Sequence, residues 1–124
     1  MEVKDILKFS IDRASAINVF WNIFIAVASA VVGVMASGKA FTDSSAVKIF
    51  LTGAFVVFAY SNLKAIIRLG KLRKALLDML PDDLPNRGAV VESLSPAEWW
   101  QYTVFHVFLD TAVLIAIWIV PWHK

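Results

Sequence analysis

The chain contains no cysteine, which rules out disulfides, thiolate metal sites and thiol nucleophiles and leaves the redox compartment open. Its two histidines, His106 and His123, lie 17 positions apart, so no paired-histidine zinc motif is formed. Only five glycines and four prolines occur, and no proline precedes Pro81. Glycine-rich phosphate loops and nucleophile elbows are absent, and nothing forces a helix to break in the first 80 residues. Charge is scarce too: Lys, Arg, Asp and Glu make up 18% of the chain, against about 25% in soluble domains. The net charge of +2 is too small to signal a nucleic-acid partner. At 124 residues there is room for one domain and none for a separate catalytic one.

What remains is apolar sequence gathered into blocks. The apolar fraction is 59%, above the roughly 45–50% of soluble chains. Residues 14–38 hold no formal charge over 25 positions, comfortably more than the ~20 a spanning helix needs. The run is too long for a signal core, and Glu2, Asp5 and Asp12 are wrong for a leader, so it reads as a retained helix over 14–37. The second block, 49–63, is shorter, but Lys48 and Lys64 at its ends can snorkel, extending the span to 46–67. Leu69, Leu72, Leu76 and Leu80 then form one helical stripe, so this helix is expected to run on to about residue 80 outside the bilayer. Residues 81–95, with Pro81, Pro85 and Gly88, read as a loop, and Asp82-Asp83 as its turn. Ser95-Pro96-Ala97-Glu98 reads as a capping box that starts a third span over 96–121. Trp99, Trp100 and Tyr102 stand at one end and Trp118 and Trp122 at the other, as interfacial aromatics do.

Lys4, Lys8, Arg13, Lys64, Arg68, Lys71, Arg73, Lys74 and Arg87 fall on one side of this arrangement. Lys39, Lys48 and Lys124 fall on the other. The positive-inside rule places the N-terminus in the cytoplasm and the C-terminus outside, and a bacterial cytoplasmic membrane is the expected location. Val3, Ile6, Leu7 and Ile11 make residues 1–13 an amphipathic cytoplasmic helix, either lying at the interface or beginning one long first helix, and its apolar side is expected to pack on the leucine stripe as a collar. The fold class is therefore an all-α integral membrane protein with three transmembrane helices. Arg68, Lys71, Arg73 and Lys74 sit where anionic lipid headgroups would meet them.

Polar residues inside the blocks are the functional candidates, because ionisable groups in hydrocarbon are costly. Ser15, Asn18, Asn22, Ala26, Ser29 and Gly33 recur every three or four positions on the first helix, a seam suited to close helix packing. Packed against the third helix, Asn18 and Asn22 would line a polar cavity. On that third helix Thr103, His106 and Asp110 share a face, with Asp110 about 16 Å from Trp99 and so near the midplane. Asn62 and Lys64 lie in the inner part of the second helix. A polar cluster in the cytoplasmic half follows, facing a dry outer half. It would organise assembly of the chain with itself or with other membrane subunits, or else handle protons or cations through His106 and Asp110. A haem or quinone site at His106 is a further reading, although a bis-histidine haem would need its second ligand from another subunit; otherwise no cofactor is expected.

Two families share the architecture. Size, amphipathic N-terminus, three spans and orientation resemble bacterial diacylglycerol kinase, which depends on glutamates at the cytoplasmic end of its second span. The corresponding residues here are Tyr60-Ser61-Asn62-Leu63-Lys64 and then Arg68, with no acid, so kinase activity is not implied. A haem ligand supplied by another subunit would be similar to the small three-helix anchors of succinate dehydrogenase, but none of their sequence signatures is present. Topology can be checked directly. Alkaline phosphatase fused after residue 124 is expected to be active and the same fusion at Asp83 inactive; the opposite pattern would invert the orientation.

Overall fold

A computed structural model describes residues 1–38 and 40–119. The chain runs through α1 (Val3–Ala36), a 3-10 turn (Ala40–Asp43), α2 (Ser45–Asp78), α3 (Arg87–Leu94) and α4 (Trp99–Trp118). No strand occurs among the described residues. Three helical stretches, Val3–Ala36, Ser45–Asp78 and Arg87–Trp118, are long and apolar enough to cross a membrane. Phe50, Val57, Phe108 and Ile119 are largely exposed, as suits a surface solvated by lipid rather than water. The expected end of the third span at residue 121, the aromatic Trp122, His123, Lys39 and Lys124 lie outside the described residues.

Residues 3–13 begin the long first helix and do not form a separate one: α1 is continuous from Val3 to Ala36, the second of the two expected arrangements, since no proline or glycine interrupts it before Gly33. It ends at Gly38, whose φ of 70° is the left-handed conformation that closes helices. The segment read as a loop holds α3. Asn86, with φ 60°, turns the chain into it, and asparagine tolerates that region better than most residues. Eight residues with two β-branched valines give little intrinsic signal. What supports α3 is burial: Val90, Val91 and Leu94 pack on a cluster formed by Ile6, Leu77 and Leu80.

That cluster is the expected collar, with a changed membership. Ile6, Leu77 and Leu80 are its buried centre, while Leu72 and Ile11 are exposed. The buried residues of α2 are Phe55, Ala59, Asn62, Ile66, Gly70 and Leu77. This stripe passes through Leu77 and leaves Leu72 on the far side. The α4 cap also moves. Ser95 is used to end α3, donating from Oγ and from its backbone N–H to the Val91 carbonyl. The capping role passes to Glu98, whose N–H donates to Gln101 Oε1 at 2.9 Å. A separate core of Phe24, Met35, Phe55, Ala59, Val113 and Ile117 fills the other half of the bundle. At that end the Trp118 indole donates to Thr52 Oγ1 at 2.7 Å beneath the Lys48 ammonium, which lies 5.8 Å from the ring.

Gly70 lets the start of α4 close on α2. A Cβ there would lie 3.5 Å from the Tyr102 ring and 3.8 Å from Pro96, ordinary contact. Gly70→Ala is expected to stabilise by about 0.5 kcal/mol through reduced backbone entropy. Gly70→Leu, which overpacks the contact, should cost about 1–3 kcal/mol, read by unfolding in mixed micelles.

Candidate functional site

His106 is completely buried at the meeting point of three helices. The Asn62 amide nitrogen on α2 donates to the Phe20 backbone carbonyl of α1 at 3.0 Å. A carbonyl can only accept, so the Asn62 oxygen must face the other way. It lies 3.2 Å from His106 Nε2, and because that oxygen is also an acceptor, Nε2 carries the hydrogen. On the opposite side of the ring, Nδ1 is 2.8 Å from Asp110 Oδ2. Two lone pairs would repel at this distance, so one proton lies between them. Either a carboxylic acid donates to a neutral imidazole or an imidazolium donates to a carboxylate. The pair is electrically neutral both ways, which is the form hydrocarbon tolerates.

Aromatic rings from α1 wall the imidazole. The Phe24 centroid lies 4.1 Å away and the Trp21 centroid 5.6 Å away. Water is excluded there, which strengthens each hydrogen bond and raises the cost of an unmade one. Asp110 keeps one such cost: its Oδ1 is buried without a partner among the described residues. The carboxyl side chain is 22% exposed and borders a cavity of about 290 Å3 between α2 and α4, lined also by Ala59, Tyr60, Leu63, Val107 and Thr111.

The remaining sequence candidates lie elsewhere. Thr103 donates to the Trp99 carbonyl of its own helix. Lys64 is exposed, with its ammonium 5.5 Å from the centre of the Tyr60 ring. Ser15, Asn18, Asn22, Ala26, Ser29 and Gly33 are all exposed. The buried face of α1 is instead Ile6, Ser10, Ile17, Phe24 and Met35, on the other side of the helix. Asn18 and Asn22 therefore face away from the bundle, Ser29 borders an apolar groove against Leu109, Ala112 and Ala116 of α4, and the polar cavity expected around the two asparagines is not formed within one chain. Arg68, Lys71 and Lys74 are exposed at the collar, whereas Arg73 is half-buried.

The sequence reading missed the Phe20 carbonyl, Trp21 and Phe24. A backbone acceptor inside a helix has no sequence signal. Trp21 and Phe24 lie on α1's core side beside Ile17, a periodicity that could have identified them. No group of three or more His, Asp or Glu side chains among the described residues could hold a metal.

Among known proteins, no family model, curated protein or solved structure matches the chain. No property of a relative therefore transfers to it. The site makes its own test. In 15N spectra of the reconstituted protein, His106 is expected to be protonated at Nε2, and Asn62→Ala should abolish that preference. The same substitution leaves the His106 Nε2–H without a partner and removes the extra bond to the Phe20 carbonyl, with an expected cost of about 1–2 kcal/mol. A His106 that samples both tautomers equally in the parent would contradict the geometry.

Proposed function

We propose that this chain is a non-catalytic three-pass subunit of an oligomeric membrane complex, with its N-terminus in the cytoplasm. The observation that carries this reading is the seam on α1. Asn18 and Asn22 are exposed, and neither side chain has a hydrogen-bond partner among the described residues. Both fall inside the uncharged run 14–38, so their amides would face lipid, where an unpaired polar group costs free energy. Ala26 and Gly33 continue this exposed face, and a Cβ on Gly33 would meet nothing within 4 Å. Small residues next to hydrogen-bonding ones are what a neighbouring helix packs against in a bilayer. The neighbour is a second copy of this chain or another membrane subunit. The buried Asn62–His106–Asp110 network then acts within the protomer, fixing how its own helices sit so that the seam is presented.

One observation favours a second reading, a proton or cation pathway through Asp110 and His106: the unpartnered Asp110 Oδ1 borders a cavity. Against it, the network runs from His106 to Asn62 and ends on the Phe20 carbonyl. A neutral amide does not pass a proton without changing its own tautomer. Haem ligation or quinone binding at His106 has less support, since Asp110 and Asn62 already occupy both ring nitrogens.

The mass of the detergent-extracted complex tests the assignment. A species larger than one chain is expected, converted to monomer by Asn18→Leu with Asn22→Leu and retained by Asp110→Asn. A monomeric, fully helical parent protein would refute it. Cation or proton flux in liposomes that Asp110→Asn removes without altering the mass would establish the pathway instead.

A further inference from the structure

The α1–α2 contact is antiparallel, and three contacts fix its register. Ile6 shares a cluster with Leu77, Asn62 bonds the Phe20 carbonyl, and the Phe24 and Phe58 rings stack with centroids 6.4 Å apart. Carried along both helices at equal rise, this register sets Ser10 level with Arg73 and Arg13 level with Gly70. The two facing seams then read Ile6, Ser10, Arg13, Ile17 on α1 and Ile66, Gly70, Arg73, Leu77 on α2. Each is spaced 4, 3 and 4, so each arginine stands where an apolar core residue would be expected, across from a small one.

Both arginines are half-buried, and each has a buried Nε without a partner. Neither joins an ion pair or hydrogen bond among the described residues. Their Nη atoms are not among the buried unpartnered atoms, so the outer ends of the forks are open. Ser10 is fully buried, and its Oγ likewise has no partner. Two like charges and a hydroxyl donor thus fall in adjacent layers of one seam, and none of them is paired with an acid among the described residues. An arrangement of this kind is unfavourable unless an anion joins it. Depth indicates which anion. Arg13 is the last charge before the uncharged run 14–38, and its level partner Gly70 adjoins Tyr102 and Pro96 at the start of α4. Tyr102, Trp99 and Trp100 mark the headgroup layer, where phosphate oxygens are abundant.

The geometry points to a phosphate-binding site between the collar ends of α1 and α2, in which Arg13 and Arg73 grip the phosphate oxygens and Ser10 supports the Arg73 side. Guanidinium forks match phosphate in two-bond geometry. The ligand is a phosphate group, presented by a phospholipid headgroup or taken from solution. The site differs from the exposed Arg68, Lys71 and Lys74, which have the general character of juxtamembrane cations, and it does not depend on the oligomeric assignment.

The full chain in neutral maltoside micelles serves for the test, read by native mass spectrometry and thermal melting. Added phosphatidylglycerol is expected to raise Tm and appear as a retained adduct, with phosphatidylcholine as the zwitterionic comparison and inorganic phosphate against chloride at equal ionic strength. A rise with phosphatidylglycerol alone identifies the lipid as the source; an equal rise with inorganic phosphate identifies solution phosphate. Arg13→Lys and Arg73→Lys keep the charge and the fold but lose the fork, and each should weaken retention about tenfold. Circular dichroism checks that both remain helical, and Ser10→Ala serves if either does not. Lys71→Gln and Lys74→Gln should leave retention unchanged. Retention indifferent to Arg13→Lys, Arg73→Lys and Ser10→Ala, or lost equally in Lys71→Gln and Lys74→Gln, overturns the site.

Discussion

The Asn62 carboxamide has a single usable orientation, because the Phe20 carbonyl can take only its N–H groups. That one choice propagates. The amide oxygen is turned to His106, the imidazole must present Nε2–H, and Nδ1 is left to share a proton with Asp110. Three helices are tied by two hydrogen bonds whose directions follow from a main-chain acceptor, and a third within α4 completes the chain. Lipid-embedded helices have little hydrophobic drive to associate. A directed polar chain can therefore set their rotation more sharply than apolar contact alone. Phe24 and Trp21 exclude water from the ring, and the network has no solvent alternative to fall back on.

The bundle is organised in two zones around this point. Toward the α1–α2 turn, Phe24, Met35, Phe55 and Ile117 give an apolar core closed by the Trp118 indole on Thr52. Toward the other end, Ile6, Leu77 and Leu80 form a second core under α3. The polar residues left over do not pool at the centre. Apart from Ser10, Arg13 and Arg73 near the collar, they divide into an inward network on α2 and α4 and an outward face on α1 that carries Asn18 and Asn22.

Much of this was legible in the chain. Uncharged runs announced three long helices, the i, i+4 spacing placed His106 and Asp110 on one face, and leucines past Lys64 foretold a collar. The errors share a cause. The rotation of α1 about its own axis is set by which residues of α2 and α4 it meets, and both of its faces are apolar enough for either answer. Asn18 and Asn22 were thus assigned inward when Ile17 and Phe24 occupy that side. Helix α3 has two turns and weak formers, so only its burial against Ile6 and Leu77 creates it. Arg13 passed as a topological marker and Arg73 as one of four like headgroup contacts, because a positive charge beside a span already has a sufficient explanation.

The unequal lengths of the helices carry one more consequence. Helices α1 and α2 each have 34 residues, or about 51 Å, while α4 has 20, about 30 Å. Only α4 matches a hydrocarbon slab of ordinary width. The long pair can absorb hydrophobic mismatch by sliding or leaning, but α4, pinned through Trp118 at one end and Pro96 against Gly70 at the other, cannot. A change of membrane composition that swells or thins the slab would therefore register first as tilt of the whole protomer, with α4 as its gauge.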